Sequence, residues 1–285
     1  MVAKFAYCAI IKEKGGFTMK KSIFYDHIEV AARQTGRSVE SVLAEAKELG
    51  FDGVECGDVH FEGKREEFKA MLEKTGMAVA SVYKFFDFAR RTDPDEIEQY
   101  LDDVVFLGAE KTLIIPGYYT GTSDRGKEFA DMVAAMKLIC AGAAARGLTV
   151  TLEDYDDAGT PCTSMAELRS FLDELPEVRF TFDTGNFRRS CEDVMEGYAL
   201  LKDRLNHVHL KDRVFAPLTE GDKGLTADDG AVLYPAPVGG GVFPIRECIE
   251  AVLAEGYDGW FSAEHFNSAD MMGYIRRSAE FLAAF

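Results

Sequence analysis

The sequence predicts an α/β fold, a (β/α)8 TIM barrel, with residues 1–285 forming one domain. Three observations lead there. An amphipathic segment, then a glycine, then a short apolar run recurs at Gly50, Gly76, Gly108, Gly147 and Gly256. Glycine takes the left-handed conformation past a helix end without steric cost, so each site reads as a helix-to-strand junction. Strand-like and helix-like segments alternate eight times, over a length usual for such barrels. No Gly-x-Gly-x-x-Gly follows the first apolar run, which weakens the competing doubly wound sheet.

The elements follow in order. The run Phe5 to Ile11 meets Lys12, Glu13 and Lys14 with no small-residue cleavage site, so strand 4–10 is preferred to a signal peptide. Segment 11–37 then reads as a long connection on the face where a barrel carries its active site. Ser38, with Glu40 and Ser41, opens helix 38–49, and strand 53–56 follows Gly50. Helix 64–75 and strand 78–84 flank Gly76. Asp93-Pro94 opens helix 94–107, since proline is tolerated in a first turn, and Gly108 leads to strand 112–116. Helix 125–146 and strand 149–154 flank Gly147. Helix 164–174, strand 179–184, helix 192–203 and strand 206–211 continue the alternation. Residues 213–243 form the longest irregular stretch, with Gly239-Gly240-Gly241 inside it; a lid and a passive insertion both satisfy that composition. Helix 244–255, strand 260–264 and helix 269–284 complete the chain. Gly-Phe-Asp-Gly at 50–53 nearly repeats as Gly-Tyr-Asp-Gly at 256–259.

Composition narrows the function. With 32 Lys+Arg against 49 Asp+Glu the net charge is −17, which repels nucleic-acid phosphates and anionic membranes. No apolar run reaches the ~18 residues of a membrane span. The six cysteines form no C-x-x-C pair, which excludes a zinc knuckle and fits a reduced cytoplasmic location.

The chemistry gathers on four strand ends. Leu-Thr-Val-Thr-Leu-Glu ends at Glu153, Arg-Phe-Thr-Phe-Asp at Asp183, Phe-Ser-Ala-Glu at Glu264, and Asn-His-Val-His-Leu-Lys-Asp contains His209. Side chains two apart share a face. One face carries Val150, Leu152, Phe180, Phe182, Val208, Leu210, Phe261 and Ala263 and belongs against the helices. The other carries the four candidates, with Thr151, Thr181, His207 and Ser262 as a polar support layer below them. Three carboxylates brought together must be neutralised by protons or cations. Three oxygen donors and one imidazole suit Mn²⁺, Mg²⁺ or Co²⁺ better than a sulfur-rich zinc site. Glu55, at the end of the second strand, and Lys211 are further candidates for substrate contact.

Glu153 in Thr-Leu-Glu, the Asp183-Thr-Gly-Asn186 turn, His207-x-His209-x-Lys211-Asp212 and the last-strand Glu264 together resemble the xylose isomerase-like TIM barrels, the sugar phosphate isomerase/epimerase family. The resemblance covers most of the chain. It implies a divalent metal held by Glu153, Asp183, His209 and Glu264, with Glu153 and Glu264 as the acid/base pair. It places Asn186 near substrate, where the residues themselves also put Lys211, Glu55 and His207, and members of the family often self-associate, so a homo-oligomer is an open expectation. Asn186 stands where ketose 3-epimerases of the family place a histidine, and the His-x-His-x-Lys-Asp strand is closer to inosose-dehydratase-like members. Apurinic endonucleases share the fold but use further histidines on middle strands, which Ser81–Lys84 and Ile115–Tyr118 do not supply.

The expectation is a metal-dependent isomerase or epimerase acting on a carbohydrate or cyclitol through an enediolate. Loss of a β-hydroxyl from the same enediolate gives the alternative, a dehydratase of a keto-cyclitol or keto-sugar. A sugar-binding protein on the same scaffold is the third reading. No phosphate-cradling glycine loop opens a helix, so an unphosphorylated substrate is favoured.

Overall fold

The computed structural model describes residues 19–121 and 124–285. The expected strand 4–10 lies outside them. Eight parallel strands close a barrel: β1 (Lys20–Phe24), β2 (Gly53–Gly57), β3 (Ala78–Phe85), β4 (Lys111–Ile115), β5 (Thr149–Leu152), β6 (Arg179–Asp183), β7 (Leu205–Val214) and β10 (Trp260–Glu264). Each pairs with the next around the ring, and β10 closes it by pairing with both β7 and β1. Between β7 and β10 the short strands β8 (Leu225–Thr226) and β9 (Val232–Ala236) form an antiparallel annex on the overhanging end of β7.

The helices are α1 (Tyr25–Thr35), α2 (Val39–Glu48), α3 (Arg65–Thr75), α4 (Pro94–Leu107), α5 (Arg125–Ala145), α6 (Met165–Asp173), α7 (Val194–Leu201), α8 (Ile245–Ala254) and α9 (Met271–Leu282). Several starts are built as the sequence suggests. Ser38, Asp93, Ser164 and Asp193 each accept hydrogen bonds from the first free N–H groups of their helices. All five junction glycines have φ between 69° and 94°, the left-handed region. No described helix is long and apolar enough to cross a membrane.

The described part of segment 11–37, from residue 19 on, is not a connection: it contains β1 and α1. Two features hid them. β1 is five residues, Lys-Lys-Ser-Ile-Phe, of which Ile23 alone is an outward-facing apolar residue, and α1 starts directly after Phe24 with no side-chain cap. The helix does end on Gly36 at φ 67°, but the chain there enters α2 and not a strand.

The core lies between barrel and helices. Val150, Leu152, Phe180, Phe182, Val208, Leu210, Phe261 and Ala263 are all buried in it. Each large side chain among them contributes about 1.5–3 kcal/mol by leaving water. This outward packing fixes strand register, because a slip of one residue would turn every inner polar group onto the helices.

Candidate active site

The opposite faces of the same strands fill the barrel with polar side chains in layers. Lys111 sits at the bottom on β4 and donates to the Asn206 carbonyl on β7 at 2.5 Å. Above it lies the expected support layer, fully buried. Thr181 and Thr151 share a hydroxyl contact of 2.8 Å, and Ser22 and Ser262 one of 2.6 Å. His207 Nε2 lies 3.1 Å from Ser262 Oγ.

Glu55 and His207, expected near substrate, occupy this interior instead. Both are 0% exposed, and Glu55 Oε2 lies 2.8 Å from His207 Nε2 and 3.1 Å from His209 Nε2. Burial alone would push the Glu55 carboxyl up, but the two imidazoles outweigh it and hold it well below the usual carboxylate range. Burial leaves His207 neutral, with its pKa pulled down to about 4. An ionised Glu55 only accepts, so it fixes a proton on His209 Nε2 and turns Nδ1 upward.

Around that Nδ1 stand the other expected ligands. Glu153 Oε2 lies at 2.9 Å, Glu264 Oε2 at 3.6 Å and Asp183 Oδ2 at 3.8 Å, so the four residues meet at one point. Strand register explains it: Asp183 pairs with His209 across β6–β7, and Ser262, two residues below Glu264, pairs with it across β7–β10. Asp183 is held by its own turn, Oδ1 accepting from the N–H groups of Gly185 at 2.6 Å and Asn186 at 2.8 Å. Its Oδ2 is buried with no hydrogen-bond partner. Burial raises the Glu153 carboxyl, and burial holds Glu264 at about 8 although Lys211 opposes it. Burial should strip the proton from His209, yet Glu55 and Glu153 outweigh it and push its pKa well up. The cluster therefore demands positive charge. Three carboxylates, the His209 Nδ1 once a cation displaces its proton, and an orphaned Asp183 oxygen are a donor set that fits a divalent cation. Glu153, Asp183 and His209 offer ligand atoms within 4.8 Å of one another, as do Glu55, His207 and His209.

Lys211 stands one step higher on β7. Its Nζ lies 2.5 Å from Glu264 Oε1, 2.6 Å from Asn186 Oδ1 and 3.6 Å from Asp183 Oδ2. Asn186 is fixed from behind, its amide donating to the Asp154 carbonyl at 2.8 Å. The next inward residue, Arg213, contacts Asp156 at 3.0 Å, and Asp156 also meets Lys211 at 3.4 Å. The sequence reading missed Arg213 and Asp156. The period-two column His207, His209, Lys211 pointed to Arg213, whereas Asp156 is placed by an irregular loop. Asp154, fully buried with both oxygens unbonded, was also missed; burial, then Asp183 and Glu153, raise its carboxyl well above the ordinary range.

The candidate ligands thus come from β5, β6, β7 and β10, four neighbours around the ring. The facing half carries an apolar group: Phe24 of β1, Tyr83 of β3, and Leu113 and Ile115 of β4 form a second buried cluster, with Tyr155 and Phe266 against it. Phe24 lies edge-on to His209, 5.0 Å between ring centres. Residues 213–243 are largely structured, through β8 and β9. Their triple glycine wraps Asp212, which accepts from the N–H groups of Arg213 at 2.8 Å, Gly241 at 2.9 Å and Phe243 at 3.2 Å.

Residues 43–285 match the family described as Xylose isomerase-like TIM barrel. The chain belongs to that family. An inosose dehydratase of Geobacillus thermodenitrificans is 23% identical over 245 residues, 79% of this chain and 81% of the relative. The solved 3-keto-D-glucoside 4-epimerase from E. coli superposes with a TM-score of 0.68 at 18% identity, covering 94% of this chain and 100% of the epimerase. A xylose isomerase-like protein from Mycobacterium smegmatis, solved in complex with magnesium, gives a TM-score of 0.67 at 18% identity over 93% of this chain and 95% of that one. The proteins this chain resembles thus include a dehydratase, an epimerase and a structure solved with magnesium. The structural likenesses establish the shared fold.

Proposed function

We propose that this chain is a divalent-metal-dependent isomerase or epimerase of a small carbohydrate, working by proton transfer beside a carbonyl. One observation carries the reading. Glu153 and Glu264, from the two ends of the β5–β6–β7–β10 arc, converge on His209 Nδ1 at 2.9 and 3.6 Å, with Asp183 between them. Glu153, Asp183, His209 and Glu264 would hold the cation, which supplies Lewis-acid polarisation of the substrate's carbonyl and neighbouring hydroxyl. Glu153 then takes the proton from the carbon between those oxygens, leaving an enediolate. Glu264 returns a proton, to the opposite face for an epimer or to the adjacent carbon for an aldose–ketose isomer. Glu55 keeps His209 oriented throughout, and the Phe24 edge excludes water from the imidazole.

The test has two parts. Metal analysis of purified protein is expected to give about one divalent ion per chain in the wild type and none in Asp183→Ala. Glu264→Gln is expected to fold and to lose solvent deuterium exchange into substrate; undiminished exchange would falsify the acid/base role.

Lys211 favours a second reading, a dehydratase. Its ammonium, 2.5 Å from Glu264, is placed to protonate a β-hydroxyl as the enediolate expels it, releasing water. The similarity to an inosose dehydratase supports the same chemistry. Product analysis on inosose separates the two: a dehydrated ketone marks the lyase, and an isomer of unchanged mass marks the isomerase or epimerase.

A further inference from the structure

Across the barrel from His209, a second polar constellation interrupts the apolar wall. β3 lies diametrically opposite β7 in the strand order. Its inward residue Tyr83 keeps 9% exposure, and its ring packs 5.7 Å from that of Phe24. The ring lies over Gly57, where a Cβ would come within 2.9 Å of it, so the position is built for this side chain. The Tyr83 hydroxyl donates to Asp26 Oδ2 at 2.5 Å. The other Asp26 oxygen lies 3.1 Å from His60 Nε2, and His60 Nδ1 lies 3.4 Å from Glu29. Two carboxylates flank one imidazole, which favours the imidazolium and keeps Asp26 ionised. An ionised carboxylate only accepts, so the single phenolic proton is committed to Asp26. What Tyr83 retains for the barrel interior is a pair of lone pairs.

We propose that Tyr83 is the specificity-determining residue of this site, accepting a hydrogen bond from a substrate hydroxyl at the end remote from the carboxylates. The proposal rests on the carbohydrate reading above and adds the polarity of the group at that end: a hydroxyl donor, not a carbonyl or a bare methylene. Leu113, Ile115 and Phe24 offer such a hydroxyl no other partner, so leaving it unpaired is costly. Asp26, His60 and Glu29 act through Tyr83 as positioning residues.

The probes are inosose and its analogue lacking the hydroxyl opposite the carbonyl, titrated calorimetrically into full-length, manganese-loaded protein. The wild type is expected to prefer inosose about 10- to 100-fold. Tyr83→Phe is expected to bind both equally, at the wild-type level for the deoxy analogue. Its KM for inosose is expected to rise by about the same factor. Asp26→Leu, which removes the acceptor and frees the phenolic proton, is expected to shrink the preference while keeping the tyrosine in place. A purely structural tyrosine would weaken both probes alike. If Tyr83→Phe keeps the wild-type preference, or the wild type has none, the proposal falls and the carbohydrate reading stands. If the wild type binds neither probe, the carbohydrate reading falls and the proposal with it.

Discussion

Buried titratable residues in this barrel divide by whether a partner compensates them. Glu55 is compensated twice, and its value lies in orienting His209. Glu55→Gln is therefore expected to keep the fold but weaken manganese binding about 10- to 100-fold in a calorimetric titration, because an amide no longer fixes the imidazole tautomer. Lys111 is compensated only in part. Burial pulls its pKa down to about 8 from 10.5, with Glu55 only partly opposing. Between those values the unfolded chain holds a proton that the folded protein has released, so stability rises with pH through that window and is lost as pH falls toward 8. Lys111→Met is expected to stabilise the protein at pH 7 by as much as about 3 kcal/mol and much less at pH 10.5. Urea unfolding of both proteins at both pH values checks it. Glu153, Asp183, His209 and Glu264 were legible in the sequence because alternation fixes which face a strand residue takes. Glu55 and His207 were legible as polar inward residues but not as a pair, since a contact between β2 and β7 crosses the whole barrel.

At the scale of elements, the glycine junctions made most strands and helices readable: five turns share one physical requirement. β1 and α1 escaped because a five-residue strand with two lysines and one outward apolar residue carries too little pattern. The annex escaped for a different reason. β9 pairs with the overhang of β7, and local composition records nothing of that partner. Its anchor is Asp212, which collects backbone N–H groups from both sides of the triple glycine. Asp212→Ala leaves those donors buried and unpaired, at a cost of about 1–3 kcal/mol each where water cannot reach. The expected result is a lower urea midpoint with faster amide exchange confined to residues 239–243.

For the whole molecule, closure matters more than any single contact. β10 pairs with both β7 and β1, so neither terminal barrel strand presents a free edge. Amides of Lys20–Phe24 are expected to exchange as slowly as those of Arg179–Asp183 in hydrogen-exchange mass spectrometry. Fast exchange in the first strand alone would show the ring opening there. The division of the ring into two arcs has a further consequence. One arc carries the four candidate ligands with Lys211, and the facing arc carries Phe24, Tyr83, Leu113 and Ile115 beside Glu55 and Lys111. A lineage is therefore free to redraw what it feeds on by altering Tyr83, Leu113 and Ile115 while inheriting the first arc intact, and a laboratory library confined to those three positions explores new diets without disturbing Phe24, the imidazole's own neighbour.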